Sequence, residues 1–171
     1  MKIGAFFWGD ITLMTEGHFY FLSNEYYRDF PDPFLARDKG SEHGRPCCYA
    51  FLDERTGLFW MIPISSKIAK FRAIYDKKMQ RGYCDTLVFG NVLGYERAFL
   101  IQNMCPVTSR YIEEEYRNNH TPVSIDGVLA RELQTKAKRI LALVRRGNIR
   151  LIFPDVLSIE KALIRQYPNS F

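Results

Sequence analysis

Residues 43–67 read HGRPCCYAFLDERTGLFWMIPISSK, and the fold follows from how this stretch is parsed. Cys47 to Leu52 and Leu58 to Ile64 are apolar runs rich in aromatic and branched side chains, the composition of strands. Asp53-Glu54-Arg55-Thr56-Gly57 between them is polar and ends in glycine, as a hairpin loop does. A hairpin brings its two outer ends together. His43 and Arg45, which enter the first strand, are therefore expected beside Ser65, Ser66 and Lys67, which leave the second. Cationic donors and hydroxyls held by an apolar ladder form a grip for a phosphate group. Pro46 suits the first position of a strand, and Pro63 is expected to mark an edge or a bulge that turns the serines out of the ladder.

The rest of the chain sets bounds on that reading. Its 171 residues suffice for one domain that buries about two-thirds of its unfolded surface. With 47% hydrophobic and 15% aromatic residues it belongs to the globular class, not the disordered one. A formal net charge of +5 favours polyanionic partners without deciding the fold. Cys47, Cys48, Cys84 and Cys105 include no CxxC pair and lie in or beside expected strands, so they read as reduced, buried small hydrophobes. The opening MKIGAFFWGD has only Phe6-Phe7-Trp8 as an unbroken aromatic run before Asp10, too short for a signal-peptide core, and no run reaches membrane-spanning length. A cytoplasmic location with no membrane partner is expected. There is no HExxH, no Walker loop, no GxGxxG and no Asp/Glu/His set at metal spacing, so neither a metal nor a nucleotide cofactor is expected.

Taken in order, residues 1–16 form an N-terminal extension of weak periodicity, and 17–171 form one domain. His18 to Leu22 is an opening strand, and Ser23 caps a short helix or turn over residues 24–30. Pro31 to Gly44 is the longest loop; it carries Arg37 and Lys39 and runs into Arg45, which suits a cover over substrate. Ser65 or Ser66 can cap a helix reaching Arg81 and closed by Gly82. On that helix Ile68, Phe71, Tyr75 and Met79 share one stripe, and Lys67, Lys70, Lys77 and Arg81 share another. The second stripe is either a track for a phosphate backbone or a solvated face. Residues 85–89 and 95–107 read as strands joined by a glycine-flanked turn; within the latter, Gln102 is a candidate for a base pocket and Asn103 a partner for a turn. Thr108 or Ser109 caps RYIEEEYRNN, whose glutamates read as a solvated face. Asp126 caps a long helix over 127–146, residues 149–153 make a last short strand, and a terminal helix follows. The sum is an α+β domain of about six mainly antiparallel strands and three or four helices, arranged as a small, partly open β-barrel.

FYFL near the start, the hairpin block, CDTLVFGNVLGYERAFLIQNMCPVT and RILALVRRGNIRLIFPDV together resemble the CptIN branch of the type III toxin–antitoxin endoribonucleases, relatives of the ToxN and AbiQ toxins. The resemblance spans about residues 17–165. It implies a compact barrel similar to the MazF, PemK and Kid toxins, and metal-independent, sequence-selective cleavage of cellular or phage RNA. It also implies inhibition by a repeated pseudoknot antitoxin RNA that the toxin processes and then binds in a closed hetero-oligomer. The family's hydroxyl pair corresponds to Ser65-Ser66. Its basic residue before the first hairpin strand, a lysine in the ToxN branch, corresponds to Arg45. Arginine holds phosphate bidentately but does not release its proton, so proton transfer must come from elsewhere, with His43 or Lys67 the nearest candidates by sequence.

The expected chemistry uses the RNA's own nucleophile. The ribose 2′-OH attacks the adjacent phosphorus and leaves a 2′,3′-cyclic phosphate and a 5′-OH. Arg45 and Lys67 supply charge, Ser66 and Ser65 donate hydrogen bonds to the non-bridging oxygens, and His43 serves as acid or base or is a plain loop histidine. The rivals are a non-catalytic RNA-binding module on the same basic track and a small adaptor that binds a protein through its aromatic strands.

Overall fold

The computed structural model describes residues 14–35, 44–147 and 149–166. Strand β1 (Phe19–Leu22) leads into helix α1 (Asn24–Asp29), and the central hairpin is β2 (Cys47–Asp53) with β3 (Leu58–Ser65). Helix α2 (Ile68–Met79) follows, then the hairpin β4 (Leu87–Val92) and β5 (Tyr95–Leu100). After a short 3-10 turn at Ile101–Asn103 come β6 (Cys105–Val107), β7 (Ile112–Glu115) and the two-residue strands β8 (Arg117–Asn118) and β9 (Thr121–Pro122). Helices α3 (Gly127–Arg146) and α4 (Val156–Gln166) complete the described chain.

The hairpin forms as its sequence demands. Asp53 pairs with Leu58, and the Asp53 carbonyl accepts the amides of Thr56 and Gly57 at 3.2 and 2.7 Å. Gly57 closes the loop at φ 71°, a left-handed backbone that a Cβ would disfavour. The strand order is β4-β5-β3-β2-β1-β7, with β6 also on β3, and every pairing is antiparallel. The first half of β3 pairs with β6 (Phe59↔Val107 to Met61↔Cys105) and its end pairs with β5 (Ile64↔Phe99, Ser65↔Ala98). Ile62 and Pro63 fall in the gap between those partners, so the proline's missing N–H removes no bond on that side. Pro63 thus stands at a local edge, where β3 is unpaired on one side, and no bulge lies at it. The irregularity in the hairpin lies in β2, between Tyr49 and Phe51.

Both sheet faces are covered, which explains the uninterrupted apolar runs in the hairpin. Trp60, Ile62, Phe51 and Phe99 meet Leu129, Leu133, Ala137 and Ile140 of α3, whereas Phe59, Met61, Tyr49 and Cys105 meet Tyr26 of α1 and Ile159 and Leu163 of α4. A smaller cluster holds Phe71 of α2 against Leu87, Ala98 and Leu100. The fold is α+β with a mainly antiparallel sheet, as expected, but the partly open barrel does not form. Among the described residues the sheet's path runs from β4 to β7 without closing.

Local readings fared unequally. Asp126 caps α3, its Oδ1 accepting the Leu129 amide at 2.8 Å, but the Ser23 hydroxyl makes no cap bond to α1. The Glu113–Glu115 run is indeed solvated on its outer side, yet it belongs to β7, an outermost strand beside β1. Charges there discourage pairing with a second sheet. Residues 149–153 form no strand; the segment is tied down by the Phe153 amide, which donates to the Gln102 carbonyl at 2.8 Å. Among the described residues no helix is long and apolar enough to cross a membrane.

Candidate active site

The end of β3 separates the two serines. Trp60, Ile62 and Ile64 belong to the α3 side of the sheet and Phe59 and Met61 to the α1/α4 side, so Ser65 continues the second set, and Ser66 follows just beyond the end of the strand. Two cavities meet at this end of the hairpin. The smaller, a cleft of about 260 Å³, is lined by Arg45, Pro46, Ile64, Ser65, Ser66, Lys67, Arg97 and Tyr116. The larger, about 350 Å³, shares Arg45, Ser65 and Lys67 and extends over Lys70 and Gln102 into apolar walls that include Phe71 and Leu100. Ser65 is 7% exposed and lines both, whereas the exposed Ser66 lines only the cleft.

The chain's turn from β3 into α2 is set by the same residues. Ser65 Oγ accepts the Lys67 amide at 3.2 Å, and the Ser66 carbonyl accepts the Ile68 amide at 2.8 Å. Lys67 occupies the N-cap without a side-chain cap bond, so the expected serine cap is replaced by this tighter turn, and α2 starts one residue later than the spacing predicts. Arg45, Ser65, Ser66 and Lys67 thus gather as the hairpin geometry requires. His43, Arg37 and Lys39 lie outside the described residues. Lys70 reaches the larger cavity, but Lys77 and Arg81, exposed on later turns, line neither. The expected basic track therefore touches the site only through its first two members.

Arg97 and Tyr116 were not legible as site residues. Arg97 precedes Ala98, the partner of Ser65, so the β3–β5 pairing delivers it to the cleft; its Nη1 donates to the Glu96 carbonyl at 3.0 Å. Tyr116 follows β7, its amide donating to the Phe19 carbonyl at 2.8 Å, and its ring meets Phe21 edge-on at 5.4 Å. Both depend on strand pairings that no local pattern reveals. The cleft then holds two guanidinium groups, one ammonium, two aliphatic hydroxyls and a phenol, and among the described residues no acidic side chain lines either cavity. That composition suits a phosphodiester, whose oxygens need hydrogen-bond donors and positive charge.

Gln102 sits on the 3-10 turn after β5 with both backbone groups used: its amide donates to the Thr86 carbonyl at 3.1 Å and its carbonyl accepts from Phe153. The side chain is 5% exposed, and its Oε1 has no hydrogen-bond partner. Burial of an unpartnered carbonyl costs about 1–3 kcal/mol. Asn103 beside it does what its sequence context suggested, its Nδ2 donating to the Phe34 carbonyl at 3.1 Å.

At the far end of the hairpin Asp53, 8% exposed, and Glu160, 12% exposed, both accept hydrogen bonds from Arg145 Nη2, which clasps the loop to α3 and α4. Burial works to raise the Asp53 carboxyl, but the hydrogen bonds from Arg145 and from the Arg55 amide outweigh it and hold the group below its ordinary value.

No family model and no curated protein matches the chain. A solved structure described by the words "New insights into the mechanism of bacterial Type III toxin-antitoxin systems: selective toxin inhibition by a non-coding RNA pseudoknot" is similar at 19% identity and a TM-score of 0.41, over 90% of this chain and 75% of that one. A likeness of that size fixes neither topology nor activity, and the functional reading rests on the cleft.

Proposed function

We propose that the protein is an endoribonuclease toxin of the type III toxin–antitoxin class, of the CptIN branch that its sequence resembles, cleaving RNA without a metal. The observation that carries this reading is the gathering of Arg45, Ser65, Ser66, Lys67 and Arg97 in one cleft at the end of the hairpin. The scissile phosphate lies in that cleft. The 2′-oxygen of the preceding ribose attacks phosphorus, the bond to the 5′-oxygen breaks, and the products are a 2′,3′-cyclic phosphate and a 5′-OH. Arg45, Lys67 and Arg97 offset the charge that builds on the non-bridging oxygens, and Ser66 and Ser65 donate hydrogen bonds to them. Donors aimed at developing negative charge contribute about 3 kcal/mol each in comparable sites. Among the described lining residues, Lys67 and Tyr116 have protons to exchange, and they take the place beside which His43 was expected. A pseudoknot antitoxin RNA would occupy the same cleft, since both ligands present a phosphate backbone.

The test is incubation of a long single-stranded RNA in EDTA with wild type and with Ser66→Ala, followed by end-group analysis. Cyclic phosphate ends that persist under chelation, with cleavage by the variant reduced about 100-fold or more, are expected. Because Ser66 is exposed, the variant's melting temperature should not change. Intact RNA in every lane, bound tightly and with steep salt dependence, would replace the nuclease by a non-catalytic RNA-binding module.

A further inference from the structure

The tip of the β4–β5 hairpin is built against the ordinary preferences of a turn. Leu93 and Gly94 form a two-residue loop between the paired Val92 and Tyr95, with φ of 53° and 80°. Both positions lie in the left-handed region, where glycine and asparagine are at ease and a leucine is strained. Leu93 is nevertheless held there, 47% exposed, and Tyr95 at the start of β5 is 65% exposed. An apolar and aromatic tip kept facing solvent at a cost in backbone strain calls for a ligand.

The register of β5 says what kind. Tyr95 and Arg97 are two residues apart on one strand and so share a face, the one on which Phe99 meets α3. Arg97 lines the cleft that holds Ser66 and Lys67; its Cζ lies over the Tyr95 ring at 5.3 Å, and its Nη1 donates to the Glu96 carbonyl. Tyr95 itself lines neither cavity, so its ring stands one side chain out from the cleft. Single strands of nucleic acid are bound by that pairing, in which cations follow the backbone and exposed rings take the bases. Arg45 and Lys67 lie in the cleft with Arg97, and a polyanion complements the three cations where an apolar partner does not.

We propose that Tyr95 is a stacking platform for a base of the single-stranded RNA flanking the scissile phosphate, with Arg97 between the ring and that phosphate. The inference rests on the RNA-cleaving reading, which puts the phosphate in the cleft. Stacking uses the π-face that every base has, so the platform lends affinity and fixes the path of the strand without choosing a sequence. It acts on bound substrate and transition state alike, and its effect therefore falls on KM and not on kcat.

The probes are a single-stranded hexanucleotide of deoxyadenosine, which lacks the attacking hydroxyl, and an abasic chain of the same length and charge, titrated against wild type, Tyr95→Ala and Tyr95→Trp. Tyr95→Ala should lose about tenfold on the adenine probe and nothing on the abasic one, and Tyr95→Trp should keep the affinity of the wild type. Because Tyr95 is exposed, the melting temperatures should barely move. A role confined to holding Arg97 on the phosphate would weaken both probes equally. That result, an unchanged affinity in Tyr95→Ala, or no binding of the adenine probe by wild type overturns the proposal. A wild-type dimer that Tyr95→Ala dissolves with probe affinity intact would overturn it too, and would assign the tip to a second copy of the chain. With an RNA substrate Tyr95→Ala should raise KM about tenfold at an unchanged kcat. Base-dependent binding through Tyr95 by a protein that cleaves no RNA would sink the nuclease reading and leave the platform; RNA cleavage whose KM ignores Tyr95→Ala would do the reverse.

Discussion

Replacing Arg145 by methionine tests the account of how the hairpin loop is held. Arg145 is 22% exposed and answers two acids that are more buried than itself, so the variant leaves two carboxylates in a place from which water is largely excluded. Removing one partner of a buried ion pair costs about 3–5 kcal/mol. In a domain of this size that lowers the melting temperature by roughly 6–20 °C, at roughly 2–4 °C per kcal/mol. The sign of the pH dependence is the sharper prediction. In the wild type the Asp53 carboxyl is depressed below 3.8, so its contribution is complete above that value and is lost only as pH falls through the lowered one. At pH 5 the wild type therefore keeps it. Without Arg145 the Asp53 carboxylate keeps its burial and loses the hydrogen bond that offsets it, so the variant regains up to about 1.4 kcal/mol per pH unit as Asp53 protonates. Urea unfolding followed by circular dichroism should show a deficit near 3–5 kcal/mol at pH 7 that shrinks to about 1–2 kcal/mol at pH 5. Adding Glu160→Gln to the variant should recover part of the deficit at pH 7. A deficit below about 1 kcal/mol, or one that grows on acidification, would refute the clasp as described.

Two further outcomes follow from packing. A Cβ on Gly90 would stand 2.3 Å from Leu129 Cδ2, so Gly90→Ala should overpack the β4–α3 contact and lose about 1–2 kcal/mol after the backbone-entropy gain is counted; a rise in the urea midpoint would contradict it. Burial pushes the Cys48 and Cys105 thiols up to about 12 and the Cys47 thiol well above its ordinary value, so iodoacetamide at pH 8 should label these three only as fast as the protein unfolds, and rapid labelling of the native protein would show the sheet to be open there.

The hairpin and the meeting of Arg45 with Ser65, Ser66 and Lys67 were legible because a local loop, Asp53 to Gly57, enforces them. Asp126 was legible for the same reason: the cap and the bond it makes are three residues apart. What escaped depends on distance along the chain. RYIEEEYRNN carries no strand alternation of its own and becomes β7 only because β1 accepts it. Tyr116 is carried to the cleft by that pairing, and Arg97 by the register of β5 on β3. The long strand expected over residues 95–107 breaks at Ile101–Asn103, since β3 takes β5 at one end and β6 at the other. The spacing expected a basic stripe from Lys67 to Arg81, but Lys77 on α2 and Arg81 beyond its end line neither cavity. Met79, placed on the apolar stripe, is 42% exposed.

The cleft draws its lining from residues 45–46, 64–67, 97 and 116, and the last wall is fixed by a ladder joining β1 to β7 across more than half the chain. Contacts that far apart bear a larger loop-closure entropy than a hairpin with a four-residue turn. A ribosome releases Arg45, Ser65, Ser66 and Lys67 long before Tyr116. No nascent chain that stops short of that tyrosine contains a complete cleft, so the gap between making the phosphate grip and finishing the pocket is written into the order of the strands.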